Sequence, residues 1–174
     1  MYYSLIASLP ELSLEKAPQI KADEFKDLCM AQLAPKDFAA LEAVLDINAK
    51  SEHPFVKQWQ ARESQLRNAA ARIRATKQKR DAVDYLRTHS GFDVMIESKV
   101  EEAFNQSTPL ERERALDELR WNILDELAGN DPFATSVLLA YAVKLQLAER
   151  WASLDNDIGQ AKIEKTIANI QETN

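Results

Sequence analysis

Gly129–Leu154, GNDPFATSVLLAYAVKLQLAERWASL, is the stretch whose reading decides the fold. Gly129 can end a preceding helix in a left-handed conformation, and Asn130 or Asp131 can cap the next one. Pro132 then falls at the first helical position, where proline has no N–H to leave unpaired. Beyond it Val137, Leu138, Tyr141, Leu145, Ala148 and Ala152 share one side of a helix. Val143, Leu147, Trp151 and Leu154 share a second. Two apolar faces require burial on most sides, so this is the central helix of a helical protein. Nothing in it is chemical, and Tyr141 and Trp151 read as core residues.

Composition extends that reading to the whole chain. Three glycines in 174 residues leave few places where a chain can turn sharply. The six prolines stand where helices could begin or end. Alanine, leucine, glutamate, lysine, arginine and glutamine, the good helix formers, supply much of the rest. The expectation is one all-α domain over 1–174, a multi-helix bundle. At this length about two-thirds of the unfolded surface can be buried, so no covalent staple is needed. The lone cysteine, Cys29, excludes an internal disulfide and suits a reducing compartment. The opening MYYSLIASLPEL has no basic leader before its short apolar run, which predicts no signal peptide. No apolar run approaches the roughly 20 residues that span a bilayer, so a cytoplasmic protein without direct membrane insertion is expected.

Taken in order, Met1–Pro10 is apolar and aromatic but too short to choose between strand and helix. Glu11–Ile20 reads as a connector. Ala22–Leu33, with Phe25, Leu28, Cys29 and Gln32 at helical spacing, and a segment from Pro35 through Phe38, Leu41, Leu45 and Ile47 read as a helical hairpin. His53-Pro54 closes the second of these. From Pro54 to Thr88 there is no internal glycine or proline. That predicts one long helix of roughly 50 Å, partly projecting because its apolar stripe is thin. Thr88–Phe92 breaks it at Gly91. Asp93–Gln106 is a short amphipathic helix. In Ser107–Glu111, Thr108 is the cap, Pro109 the first residue and Glu111 the return partner of a capping box. The following helix buries Leu116, Leu119, Trp121, Ile123, Leu124, Leu127 and Ala128. After the central helix, Asn156–Gly159 reads as a break, and Ala161–Ile170 as a last helix with Ile163, Ile167 and Ile170 on one face.

Charge is distributed unevenly. Lys57–Arg87 holds nine bases against three acids, a segment of +6. With −6 overall, the remainder is −12. A basic helix on an acidic body suggests a directional partner surface, and the candidate partner-binding residues are Arg67, Arg72, Arg74, Lys77, Lys79 and Arg80. The run has no interleaved aromatics, so a solvated or protein-docking helix is preferred to a nucleic-acid site. His53 and His89 have no partners at metal-ligand spacing. Cys29 sits on an apolar face as an inert thiol. There is no phosphate-cradling glycine loop and no nucleophile elbow. No catalytic, cofactor-binding or metal residue is assigned, and a non-enzyme is expected.

Resemblance takes the reading further. Asp131-Pro132-Phe133, then Val137-Leu138-Leu139-Ala140-Tyr141, and then Lys144, Leu147, Glu149 and Arg150 resemble the C-terminal part of the stalk-to-ring coupling subunit of V/A-type ATPases. Tyr2-Tyr3-Ser4-Leu5-Ile6-Ala7-Ser8-Leu9-Pro10, with Leu66-Arg67-Asn68 and Arg72, resembles a shorter family, DUF2764. That second resemblance implies a protein that accompanies the subunits of bacterial V-type ATPases and takes the place of the usual coupling subunit. The chain is much shorter than that subunit, which is built from three helical lobes. The resemblance implies a non-catalytic rotor part with no cofactor. It would link the central stalk to the membrane ring of ion-carrying subunits in ion or proton transport, peripheral on the cytoplasmic side. The alternative is a free-standing helical adaptor or assembly factor, with the basic helix as its docking element.

Overall fold

Helix-forming composition and punctuation give seven helices and no strand among the described residues of a computed structural model. It describes the backbone of residues 2–172 and the side chains of 2–154. In chain order the elements are α1 (Tyr3–Ser8), α2 (Ala22–Gln32), α3 (Pro35–Leu45), α4 (Pro54–Gln78), α5 (Val94–Phe104), α6 (Pro109–Ala128) and α7 (Thr135–Glu172). The fold is the expected all-α bundle.

The start of α6 is set locally, as expected. The Glu111 amide donates to Thr108 Oγ1 at 3.1 Å, and the Thr108 amide donates back to Glu111 Oε2 at 3.0 Å. Gly129 ends the helix with a positive φ of 76°. Pro132 departs from expectation. It lies in a turn before α7 rather than in the first helical position. Asp131 accepts the Phe133 amide at 3.0 Å, which shapes that turn, and Ser136 donates to the Ala128 carbonyl at 2.7 Å. Together they lace the end of α6 to the start of α7.

α7 is the central helix. It packs on α2, α3, α4 and α6. Leu138, Leu139, Ala140, Ala142, Val143, Leu145, Leu147, Ala148 and Trp151 are all buried. Each fully buried leucine contributes about 1.5–3 kcal/mol, against about 0–1 for an exposed ion pair, so this helix dominates the core. Tyr141 is half-buried, its ring 5.0 Å from Phe25, and its hydroxyl donates to the Pro10 carbonyl at 2.9 Å. The expected break at Asn156–Gly159 is absent, because α7 continues to Glu172. The face formed by Ile163, Ile167 and Ile170 lies outside the described side chains.

Three other boundaries differ. The opening segment is a helix. Tyr2 docks it by donating to Asp37 Oδ2 at 2.6 Å and accepting the Ala34 amide at 3.0 Å. α3 stops at Leu45, short of His53-Pro54, because Gln60 of α4 donates to the carbonyls of Asp46 (3.1 Å) and Ala49 (2.9 Å) and holds the intervening chain as a loop. α4 ends at Gln78 rather than Thr88. Lys79 takes the left-handed conformation at φ 54°, and the Arg80 amide bonds back to the Ala75 carbonyl at 2.9 Å. Residues 79–93 then return along the helix as a strap. α4 also packs more deeply than its thin stripe suggested, against α3, α5, α6 and α7. Only its last turns are left partly uncovered.

Candidate functional site

The basic face of α4 is engaged largely inside the molecule. Arg67 Nε donates to Glu63 Oε1 at 2.6 Å. Arg72 donates to both oxygens of Glu97 on α5 at 2.8 Å, and Arg74 reaches Glu113 on α6 at 3.3 Å. Lys77 donates to the Phe104 carbonyl at 3.3 Å. Lys77, Arg74 and Arg112 also stand 5.4, 5.5 and 4.8 Å from the centre of the Phe104 ring. A ring face attracts cations, so this residue gathers the ends of three helices. Lys79 and Arg80 differ. Both are exposed, and neither side chain has an ion-pair partner among the described residues. Of the six candidate residues, then, Arg67, Arg72, Arg74 and Lys77 hold the fold's own groups, and two face outward.

A second constellation was not foreseen. Glu63 of α4 and Asp117 of α6 are buried charges. Arg120 bridges them. Its Nε and Nη2 donate to Glu63 at 2.9 and 3.2 Å, and its Nη1 donates to Asp117 Oδ1 at 2.9 Å. Asp117 Oδ2 accepts from Arg150 and, at 2.8 Å, from the indole N–H of Trp151. Burial disfavours the charge on Arg120, but Glu63 and Asp117 more than offset it and hold the guanidinium above its ordinary pKa. The network ties α4, α6 and α7 at mid-height. A readable signal existed. Val56, Trp59, Glu63, Leu66 and Ala70 follow one helical stripe, as do Leu116, Arg120, Ile123 and Leu127 with Asp117 beside them. A charge set in an apolar stripe is a buried charge that needs a partner.

Beside this network lies a recess of about 160 Å³ between α3, α4, α6 and α7, with Arg67, Arg120 and Arg150 on its wall. A larger groove of about 520 Å³ runs between α5 and α6 over Ile96, Ala103, Leu119 and Ile123. Arg62 borders it and donates to both oxygens of Glu126, at 2.7 and 2.8 Å. This hydrogen-bonded pairing raises Arg62 and lowers Glu126 from their ordinary values.

The strap supplies a third feature. Asn68 of α4 exchanges two hydrogen bonds with the Arg87 backbone, at 2.7 and 2.8 Å. Gln65 does the same for Asp93, at 2.8 and 2.9 Å. Pinned at both points, the strap and the first turn of α5 hold Val83, Tyr85, Leu86, Phe92, Val94 and Met95 exposed, Tyr85 and Val94 at 70% and 69%. Lys79 and Arg80 begin this edge. Apolar side chains held in water over so short a run mark a contact surface.

Cys29 is fully buried, and burial alone pushes its thiol up to about 12. Burial likewise pushes Tyr141 to about 12. Neither group is poised to react near neutral pH. Among the described residues no group of three or more histidine, cysteine, aspartate or glutamate side chains is placed to hold a metal ion. None of their helices is long and apolar enough to cross a membrane.

The fold and these features define a helical protein whose charges lock its own helices and whose apolar edge faces outward. Residues 93–173, a span opening at the cap of α5 and taking in α6 and most of α7, match the family model described as "Protein of unknown function (DUF2764)". Searches of curated proteins and of solved structures gave no match.

Proposed function

We propose that this chain is a non-catalytic coupling subunit of a V/A-type rotary ATPase, linking the central stalk to the membrane rotor ring at the cytoplasmic face. The observation that carries a partner-binding role is the exposed edge of Val83, Tyr85, Leu86, Phe92, Val94 and Met95 beside the outward cations Lys79 and Arg80. The choice of complex is supported by the resemblances over 2–10, 66–72 and 131–150, and the match to DUF2764 over 93–173 agrees with the family to which 2–10 and 66–72 point. A torque-bearing part has to resist deformation. The clasp of Arg62, Arg72 and Arg74 onto Glu126, Glu97 and Glu113 would stiffen α4 against α5 and α6. Nucleotide chemistry and ion-binding carboxylates would lie in other subunits.

The test is purification of the ATPase from the source cell through one of its catalytic subunits. The chain should be recovered at a fixed ratio to the stalk. Its deletion should separate ATP hydrolysis from ion transport while hydrolysis persists. Its absence from the intact complex, with coupling unchanged on deletion, would overturn the proposal. Recovery with incomplete complexes alone would favour the assembly-factor reading instead.

A further inference from the structure

The recess between Arg67 and Arg150 carries an inference that does not depend on which complex the chain joins. Glu63 and Asp117 are saturated acceptors. Glu63 takes bonds from Arg67 and Arg120, and Asp117 takes them from Arg120, Arg150 and Trp151. Arg120 is consumed between them. Arg67 and Arg150 are not, since each gives one nitrogen to the network. Among the described residues, Arg67 Nη1 and Nη2 and Arg150 Nε and Nη1 have no partner. Their side chains are 49% and 47% exposed, at the mouth of the recess. Three guanidiniums against two carboxylates leave one positive charge over. The inner wall is apolar, formed by Val44, Leu45, Val143 and Leu147.

We propose that this recess binds one carboxylate side chain, an aspartate or glutamate, of a partner protein. The arginine fork matches a planar carboxylate, the apolar wall suits its methylenes, and a monoanion balances the surplus charge. Size argues against a metabolite. At about 160 Å³ the recess falls well below the roughly 300–1,000 Å³ of small-molecule sites. Charge argues against phosphate, because a dianion would overshoot the balance. Trp59 lines the recess and the Trp151 indole bonds the same network, so both report on occupancy.

The experiment is a titration of the full chain, followed through the indole N–H resonances of Trp59 and Trp151. The probes are glutamate blocked at both backbone ends, equally blocked glutamine, and inorganic phosphate. Blocked glutamate should give a saturable shift with a millimolar dissociation constant, and blocked glutamine none. Arg67→Gln and Arg150→Gln should each weaken binding about tenfold or more, as expected for loss of a charged hydrogen-bonding partner. Arg67→Gln is the safer variant, since Glu63 keeps Arg120, and an unchanged melting curve shows that the fold is retained. An equal response to blocked glutamine, tighter binding of phosphate than of blocked glutamate, or wild-type affinity in Arg67→Gln would overturn the proposal. Because the isolated chain is used, failure here is distinct from failure of the ATPase assignment.

Discussion

Asp117 has no exposed surface, yet it accepts hydrogen bonds from three side chains on two helices. Removing it would strand the buried guanidinium of Arg120 and the indole N–H of Trp151. An uncompensated buried charge is expensive, so Asp117→Ala should destabilise the protein by about 3–5 kcal/mol in urea unfolding. A loss below about 1 kcal/mol would mean that the network contributes little. Glu126 makes the contrasting case at the surface. Its hydrogen-bonded pairing with Arg62 lowers its pKa in the folded protein. The stability it adds is therefore present above the ordinary glutamate value and is lost as pH falls through the lowered one. Glu126→Gln should flatten that part of the stability–pH curve by less than about 1 kcal/mol, because the pair is partly solvated and screened. An unchanged curve would mean that the pair is not held in solution. The sequence stripes around Glu63 and Asp117 held the information needed to find this network. They were read as thin stripes, and a thin stripe suggested exposure. The partner that makes such burial tolerable, Arg120 for Glu63, lies 57 residues away and cannot be seen in local spacing.

Local chemistry made some elements legible and tertiary contacts hid others. Thr108–Glu111 carries its whole capping box in four residues, so the start of α6 could be read directly. The end of α4 could not. No glycine or proline marks it, and Lys79 is a non-glycine residue forced into the left-handed region. What holds the turn is Asn68, which lies on the helix itself and captures the returning backbone at Arg87. Gly159 and Asn156 misled in the opposite sense, because a helix can continue through single weak formers when its other turns hold. Asn68→Ala tests the strap. It removes two hydrogen bonds to part-buried backbone groups and should cost about 1–3 kcal/mol. Amide exchange should quicken most over 81–92 while Leu138–Ala148 stays protected. Uniform quickening across both segments would show that the strap unfolds only with the core.

At the scale of the whole molecule, a charge total says less than its pairing. The +6 of Lys57–Arg87 suggested a broad basic docking face. Arg62, Arg67, Arg72 and Arg74 instead meet Glu126, Glu63, Glu97 and Glu113, and that part of the surplus is neutralised within the fold. Lys79 and Arg80 remain as outward cations at the head of the apolar edge. Two double reversals separate these roles. Arg72→Glu with Arg74→Glu would set like charges against Glu97 and Glu113, and should destabilise the fold by about 1–2 kcal/mol in total, counting up to about 1 for each exposed pair. Lys79→Glu with Arg80→Glu breaks no ion pair and loses only the favourable placement of cations near a helix C-terminus. Its stability should therefore change by less than about 1 kcal/mol. Docking to purified stalk and ring subunits should reverse that order. At low salt the second variant should bind about tenfold or more weakly than wild type, and the gap should narrow as salt screens the outward cations. Wild-type docking by this variant at low salt would exclude Lys79 and Arg80 from the interface. The contact would then have to be sought in the apolar edge itself, with Tyr85→Ala and Phe92→Ala as the next variants to measure.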